Sequence, residues 1–278
     1  MSNNSSDEML FFKKKPVISY LRLNGVIGSV GRFNQGMSLS NQGEIIKKAF
    51  DLKGTRAVVI SINSPGGSPV QSNLIFNLIR KEAQKKNIKV ITYAEDVAAS
   101  GGYMLMCAGD EVYANANSIV GSIGVIYAAF GFTDLIKKIG VERRIHTAGE
   151  SKSILDPFLE EKKEDIEKLK NIQKDLHDEF IDLVKKSRKN KLNEENFKIL
   201  FSGEFWSGKK SAELGLIDGV GTLQDIIENQ FGKDIKIKKF EQPQSWLKRK
   251  LSSQLSNTIL SEIGNELEIR SIWNRYGL

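Results

Sequence analysis

The sequence predicts an α/β fold: a mostly parallel sheet assembled from βα crossover units, with one long charged helix added to it. Three observations carry this prediction. Apolar, β-branched runs end at turns rich in small residues, as RAVVISIN at 56–63 does at SPGG. The segments between such runs space their apolar residues for a helix. Strand and helix signals alternate along the chain, which is the order that crossover units of a parallel sheet produce.

Taken in order, residues 1–15 read as a polar, mobile tail, and the globular part occupies 16–241. From Val17, VISYLRLNG alternates in the manner of a half-buried strand. RAVVISIN suits a central strand, which Pro65, Gly66 and Gly67 terminate in a turn. In VQSNLIFNLIRKEAQKK, the residues Leu74, Ile75, Leu78 and Ile79 share one helical face. A strand follows at KVITYAE, a short one at EVYAN, and then the glycine-punctuated SIVGSIGVIY. From Leu159 to about Lys191 the chain is strongly charged, with Ile166, Leu169, Ile172, Leu176, Phe180 and Val184 forming the one apolar stripe of a long helix. Such a stripe packs on a sheet or on a neighbouring subunit. Residues 193–231 read as short helices with Gly215 and Gly219 at turn or cap positions. The tail at 242–278 includes WLKRKLSSQLSNTIL, a basic amphipathic helix that either packs on the protein surface or lies on a membrane. RRIHTAG is strand-like, and no internal repeat stands out.

Composition narrows the function classes. In 278 residues, 40% apolar, 41 Lys and Arg stand against 34 Asp and Glu for a net charge of +7. That is a solvated surface with some affinity for acidic ones. No tract of basic and aromatic residues points to nucleic acid, and none is expected as a partner. The single cysteine, Cys107, excludes an internal disulfide and a cysteine-based zinc site, and its apolar surroundings in YMLMCAG mark a buried thiol. No cofactor or metal is expected. MSNNSSDEMLFFKKKP lacks the order of a signal peptide, and the weakly polar run at 119–132 is too short to span a bilayer. These features lead us to expect a cytoplasmic or peripherally membrane-associated protein without a transmembrane helix.

The chemistry concentrates at AEDVAASGGYMLM. A strand leads into a small-residue turn, Ser100 sits in it, and an apolar helix begins immediately afterwards. Ala98, Ala99, Gly101 and Gly102 let a substrate backbone approach, and the helix N-terminus offers unpaired N–H groups to a developing oxyanion. Ser100 is therefore either a nucleophile or an N-cap. A parallel sheet brings strand ends to one edge, where the amides of Gly66 and Gly67 can face the Ser100 turn. A serine nucleophile needs a base. The two histidines, His146 and His177, have settings that read as structural, and a lysine relieved of its charge by burial can serve instead. Composition does not single out which lysine.

INSPGG, AEDVAASGGYMLMCAGDEVYANANSIVGSIGVI, GESKS and FSGEFWSGKKSAELGLIDGVGTLQDII, in that order, resemble the successive motifs of the signal peptide peptidase A family. The likeness covers most of 17–231. It implies a crotonase/Clp-protease-like fold and a Ser/Lys dyad, with Ser100 as nucleophile and Lys152 as general base. It also implies that Ser122 orients the lysine amine and that the backbone N–H groups of Gly67 and Gly101 form the oxyanion hole. The substrates implied are remnant signal peptides or other unfolded peptides. Half-length members form ring or dome homo-oligomers whose serine and lysine come from adjacent subunits, so the same is expected here. The sequence departs from typical members in lacking a recognisable membrane anchor. Two rivals remain: an inactive scaffold of the same fold that organises an assembly or membrane, and an acyl-CoA hydratase or isomerase, which would need a carboxylate acid/base.

Overall fold

The computed structural model describes residues 15–30, 34–149, 151–241 and 269–278. Strand β1 (Val17–Asn24) buries Ile18, Leu21 and Leu23. It leads to a small antiparallel pair, β2 (Ser29–Val30) and β3 (Asn34–Gln35), and then to helix α1 (Leu39–Asp51). β4 (Thr55–Ser64) is buried without interruption from Ala57 to its end, as a central strand covered on both faces must be. Helix α2 (Pro69–Lys86) starts with Pro69, whose missing N–H costs nothing at the first helical position. The Ser68 hydroxyl caps it by accepting from the Gln71 N–H at 3.3 Å, and left-handed Asn87 ends it.

β5 (Lys89–Ala99) runs straight into α3 (Gly101–Met106), with Ser100 alone between them. β6 (Glu111–Ala114) and β7 (Ile119–Gly121) follow, then α4 (Thr133–Lys138) and the 26-residue α5 (Lys163–Arg188). Acidic Glu164 and Asp165 in the first turn of α5, and Lys185, Lys186 and Arg188 in its last, complement the helix dipole. The chain then passes through α6 (Phe197–Leu200), β8 (Phe205–Ser207), α7 (Gly208–Glu213), β9 (Gly219–Val220), α8 (Leu223–Phe231) and β10 (Lys236–Phe240).

The main sheet has the order β10-β1-β4-β5-β6-β9 with every neighbouring pair parallel. β7 joins the far end of β5 in parallel, and β8 adds to β7 antiparallel. One face holds the larger core, where Ile46 and Phe50 of α1, Ile75 and Ile79 of α2, and Tyr103 and Leu105 of α3 pack against β4 and β5. Phe180 and Val184 of α5 join them. On the other face Ile227 of α8 covers Ile18, Ala57, Val59 and Ile91. Each fully buried valine, leucine, isoleucine or phenylalanine among these stabilises the fold by about 1.5–3 kcal/mol before chain entropy is counted. The mostly parallel α/β architecture is the one expected.

Several local expectations change. Gly219 lies inside β9 with no positive φ, and Gly215 is the left-handed residue, at φ +80°, that ends α7. The 193–231 stretch holds two short strands as well as helices. His146 is exposed in a non-strand segment, because its neighbours reach no sheet edge with which to pair. The long helix begins at Lys163, and only Phe180 and Val184 of its apolar stripe are buried, whereas Ile172 is 57% exposed. The WLKRKLSSQLSNTIL segment and nearly all of the 1–15 tail fall outside the described residues. Trp273 and Tyr276, close to the C-terminus, pack on Val97, Ala99 and Ile119.

Candidate active site

A parallel sheet carries the C-terminal ends of β4, β5 and β7 to one edge, and Ser100 stands there. Its backbone has φ +51° and ψ −122°, a region that residues with a side chain rarely occupy and hold only where neighbours force it. Two bonds do so: the Ser100 N–H donates to Gly121 O at 2.8 Å, and Ser100 O accepts from the Met104 N–H at 3.0 Å. Ser100 occupies the cap position of α3, yet its hydroxyl makes no capping hydrogen bond.

The SPGG turn lies directly against it. A methyl group on Gly66 would stand 2.8 Å from Ser100 Cβ and 2.9 Å from both Ala99 O and the Gly101 nitrogen, so only glycine allows this approach. Gly67, at φ +139°, is equally constrained, since a Cβ there would fall 2.1 Å from Ile27 O. Bonds from Ile27 N–H to Gly66 O and from Ser68 N–H to Ile27 O, both 2.8 Å, clamp the turn from the other side. Among the described residues, the N–H groups of Gly67 and Gly101 have no hydrogen-bond acceptor. The turn carries one of these donors, Gly67, and the start of α3 the other, Gly101, on either side of Ser100.

Ser122 is buried, at φ +55°, one residue beyond the Gly121 carbonyl that holds Ser100. Its N–H donates to Glu204 O, 2.6 Å away. His177 reaches back from α5 to place Nε2 3.1 Å from Ile123 O, a structural tie beside Ser122. Cys107 is buried, and desolvation pushes its thiol up to about 12, far from a reactive thiolate. No cluster of His, Cys, Asp and Glu suited to a metal ion occurs among the described residues.

Lys152 lies elsewhere in the architecture. It sits in a turn on an arm at 124–162, in which no described residue is buried, and it is exposed. Among the described residues no hydrogen bond joins it to Ser100 or Ser122. The arm closes on itself through Phe132 N–H to Pro157 O at 2.6 Å, Arg143 to Asp156 at 2.9 Å, and the ring contacts of Phe132 with Phe130 and Phe158. A pocket between Tyr127, Phe130, Leu155, Pro157 and Leu159 lies on this arm, away from the turns around Ser100. The structure therefore gathers Ser100, Ser122, Gly67 and Gly101 at one edge and leaves Lys152 outside. No helix among the described residues is long and apolar enough to cross a membrane.

Comparison with known proteins matches residues 82–234 to Peptidase family S49. The Na(+)/H(+) antiporter NhaA of Brucella abortus is 47% identical over 94% of this chain and 37% of its own length. The chloroplastic serine protease SPPA of Arabidopsis thaliana is 29% identical over 77% of this chain and 35% of its own. Protease 4 of Haemophilus influenzae is 33% identical over 66% of this chain and 29% of its own. The chain thus spans about a third of each of these relatives. The matched region contains the Ser100 turn, the β7 turn with Ser122, the arm and α5. The chain belongs to Peptidase family S49.

Proposed function

We propose that the protein is a serine endopeptidase working through a Ser100/Lys152 dyad, on remnant signal peptides or other unfolded peptides. The observation that carries the reading is the close approach of the Gly66–Gly67 turn to a strained Ser100 whose hydroxyl is not used as a cap. Family membership and the protease names of two of the three relatives support it. In the first step the neutral Lys152 amine takes the Ser100 proton as Oγ bonds to the scissile carbonyl carbon. The Gly67 and Gly101 N–H groups donate to the oxygen that becomes negative. The lysine ammonium then protonates the leaving amine as the C–N bond breaks, and water, activated by the same amine, releases the acyl group. Ser122 orients the amine.

A lysine serves as a base where burial relieves it of its charge. The reading therefore includes a homo-oligomer in which a neighbouring copy covers the arm and brings Lys152 to the Ser100 edge. The unburied apolar residues of the arm favour this: Phe130 is 80% exposed, Ile126 68% and Ile139 64%. The antiporter name attaches to a relative of which this chain matches 37%, and no described feature favours transport.

A fluorophosphonate probe on wild type, Ser100→Ala and Lys152→Ala tests the dyad. Wild type is expected to be labelled, Ser100→Ala not at all, and Lys152→Ala at least about 10³-fold more slowly. Equal labelling of all three would end the proposal. Mixing the two variants under subunit exchange is expected to restore activity at sites that draw one residue from each copy; no recovery would remove the shared-site element.

A further inference from the structure

β5 does not run evenly beside β4. Ile62 pairs with Ala94 and Ser64 with Ala98, so the single residue Asn63 stands opposite three, Glu95, Asp96 and Val97. Such a bulge breaks the hydrogen-bond ladder and leaves backbone groups to be satisfied by side chains. Here it also lets β5 change partners, pairing with β6 at Ile91–Ala94 and with β7 at Val97–Ala99. The second rung is the one that carries Ser100.

The Asn63 carboxamide fills this gap. Its Oδ1 accepts from the Val97 N–H at 3.1 Å, a donor on a fully buried residue, and its Nδ2 donates to Asp96 Oδ2 at 2.9 Å. The Asn63 carbonyl also accepts from the Gly25 N–H at 2.9 Å. The other side of the bulge is tied by the buried Ser118, whose hydroxyl donates to the carbonyls of Ala94 and Glu95, and by Arg22, which grips the Glu95 carboxylate from β1. A one-residue slip in this strand would turn its side chains to the opposite face and move Ser100 away from Gly66. The carboxamide offers an acceptor for an N–H and a donor for a carboxylate on separate atoms, which the isosteric ionised aspartate and leucine cannot do.

We propose that Asn63 is a positioning residue for Ser100: by closing the β5 bulge it fixes the register at which Ser100 meets the Gly66–Gly67 turn. This rests on Ser100 being the nucleophile. In an Asn63→Asp variant the acceptor for Val97 survives, but a second carboxylate faces Asp96. In the double variant Asn63→Asp/Asp96→Asn the donor and acceptor are exchanged between the partners, and every bond can re-form.

The test uses the full chain, the fluorophosphonate labelling rate, and kcat and KM on a fluorogenic peptide of small apolar residues. Asn63→Asp is expected to label about 10²-fold more slowly, with KM within about twofold, since a displacement near 1 Å costs that much. The double variant is expected to return to within about threefold of wild type. Wild-type labelling of Asn63→Asp overturns the proposal, and so does a double variant that melts like wild type but labels as slowly as the single. If Asn63→Asp does not fold, Asp96→Leu, at an exposed position, replaces it; it removes the acceptor for Nδ2, leaves the carboxamide held by the Val97 bond alone and should slow labelling about tenfold, and no slowing overturns the proposal. Unchanged labelling of Ser100→Ala would instead remove the nucleophile assignment beneath it.

Discussion

The edge around Ser100 and the arm around Lys152 are built in opposite ways. At the edge, Ser64, Gly66, Ala98, Ala99, Gly101 and Gly102 are all buried, and glycines allow two turns to meet at distances no Cβ would permit. On the arm no described residue is buried, large apolar side chains face outward, and the Lys137–Glu160 and Arg144–Glu142 pairs lie at the surface. The continuation of the arm into α5 shows the same contrast within one helix, with Ile172 and Leu176 exposed and Phe180 and Val184 buried. The difference teaches that a single chain holds Ser100 and the two glycine N–H groups of the proposed site in place by its own packing. It leaves the proposed base on a surface that no other described residue buries.

Breaking the buried side should have the largest effect. Arg188, 2% exposed in its side chain, pairs with Asp218 at 2.7 Å and also donates to Gly215 O at 3.0 Å. Asp218 in turn accepts from Lys191 and from the Val112 N–H, locking the end of α5 to the sheet. Asp218→Ala leaves the arginine charge uncompensated and is expected to cost about 3–5 kcal/mol in urea unfolding. Next is Gly66→Ala, whose methyl group forces the SPGG turn away from Ser100; peptide hydrolysis should fall about 10²- to 10³-fold. A rate near wild type would show that the close approach is not needed.

Acid should distinguish the two regions more gently. Burial raises the Asp218 carboxyl, but hydrogen bonds from Arg188 and Lys191 outweigh it and hold the group below its ordinary range. A carboxyl lowered in the folded state adds stability at pH above its unfolded value, roughly 4, and loses it as pH falls through the folded value. Wild type should therefore lose more stability than Asp218→Asn between about pH 5 and 2, measured by thermal unfolding across that range. Phe130→Glu sharpens the other side: it should change single-chain stability by no more than about 0.5 kcal/mol. Sedimentation should nonetheless show a shift toward monomer, with loss of hydrolysis. Unchanged assembly and activity would mean that the arm needs no cover. The smallest effect belongs to Lys137→Ala, which removes an exposed pair with Glu160 and should leave the urea-unfolding midpoint unchanged within measurement error.

Much of this was legible locally. RAVVISIN and KVITYAE announced the two central strands because a parallel strand covered on both faces must be apolar along its length. Ser100 in its small-residue turn was legible as nucleophile or cap, and Gly66 and Gly67 as a turn. Lys152 was legible only through likeness to the family, since nothing in GESKS distinguishes its lysine from forty other basic side chains or fixes its surroundings. Asn63 is not legible locally, because its part depends on a bulge, which arises from the pairing of two strands and has no signal in either alone. Gly219 reads as a turn residue for the same reason: a glycine in a short strand looks like a glycine in a turn until a partner such as Tyr113 is known.

By itself the sequence determined the α/β class, the order of the central strands and helices, and the residues that present a hydroxyl in a tight turn. These follow from periodicity and from backbone preferences, which act over a few residues. Only the tertiary structure decided that Ser100 is strained and not a side-chain cap, that Gly66 meets it at contact distance, and that Asn63 closes the bulge behind it. It also decided which half of the α5 stripe is covered. Those outcomes depend on what lies across the sheet, and contact between residues distant in the chain is set by how the whole molecule packs.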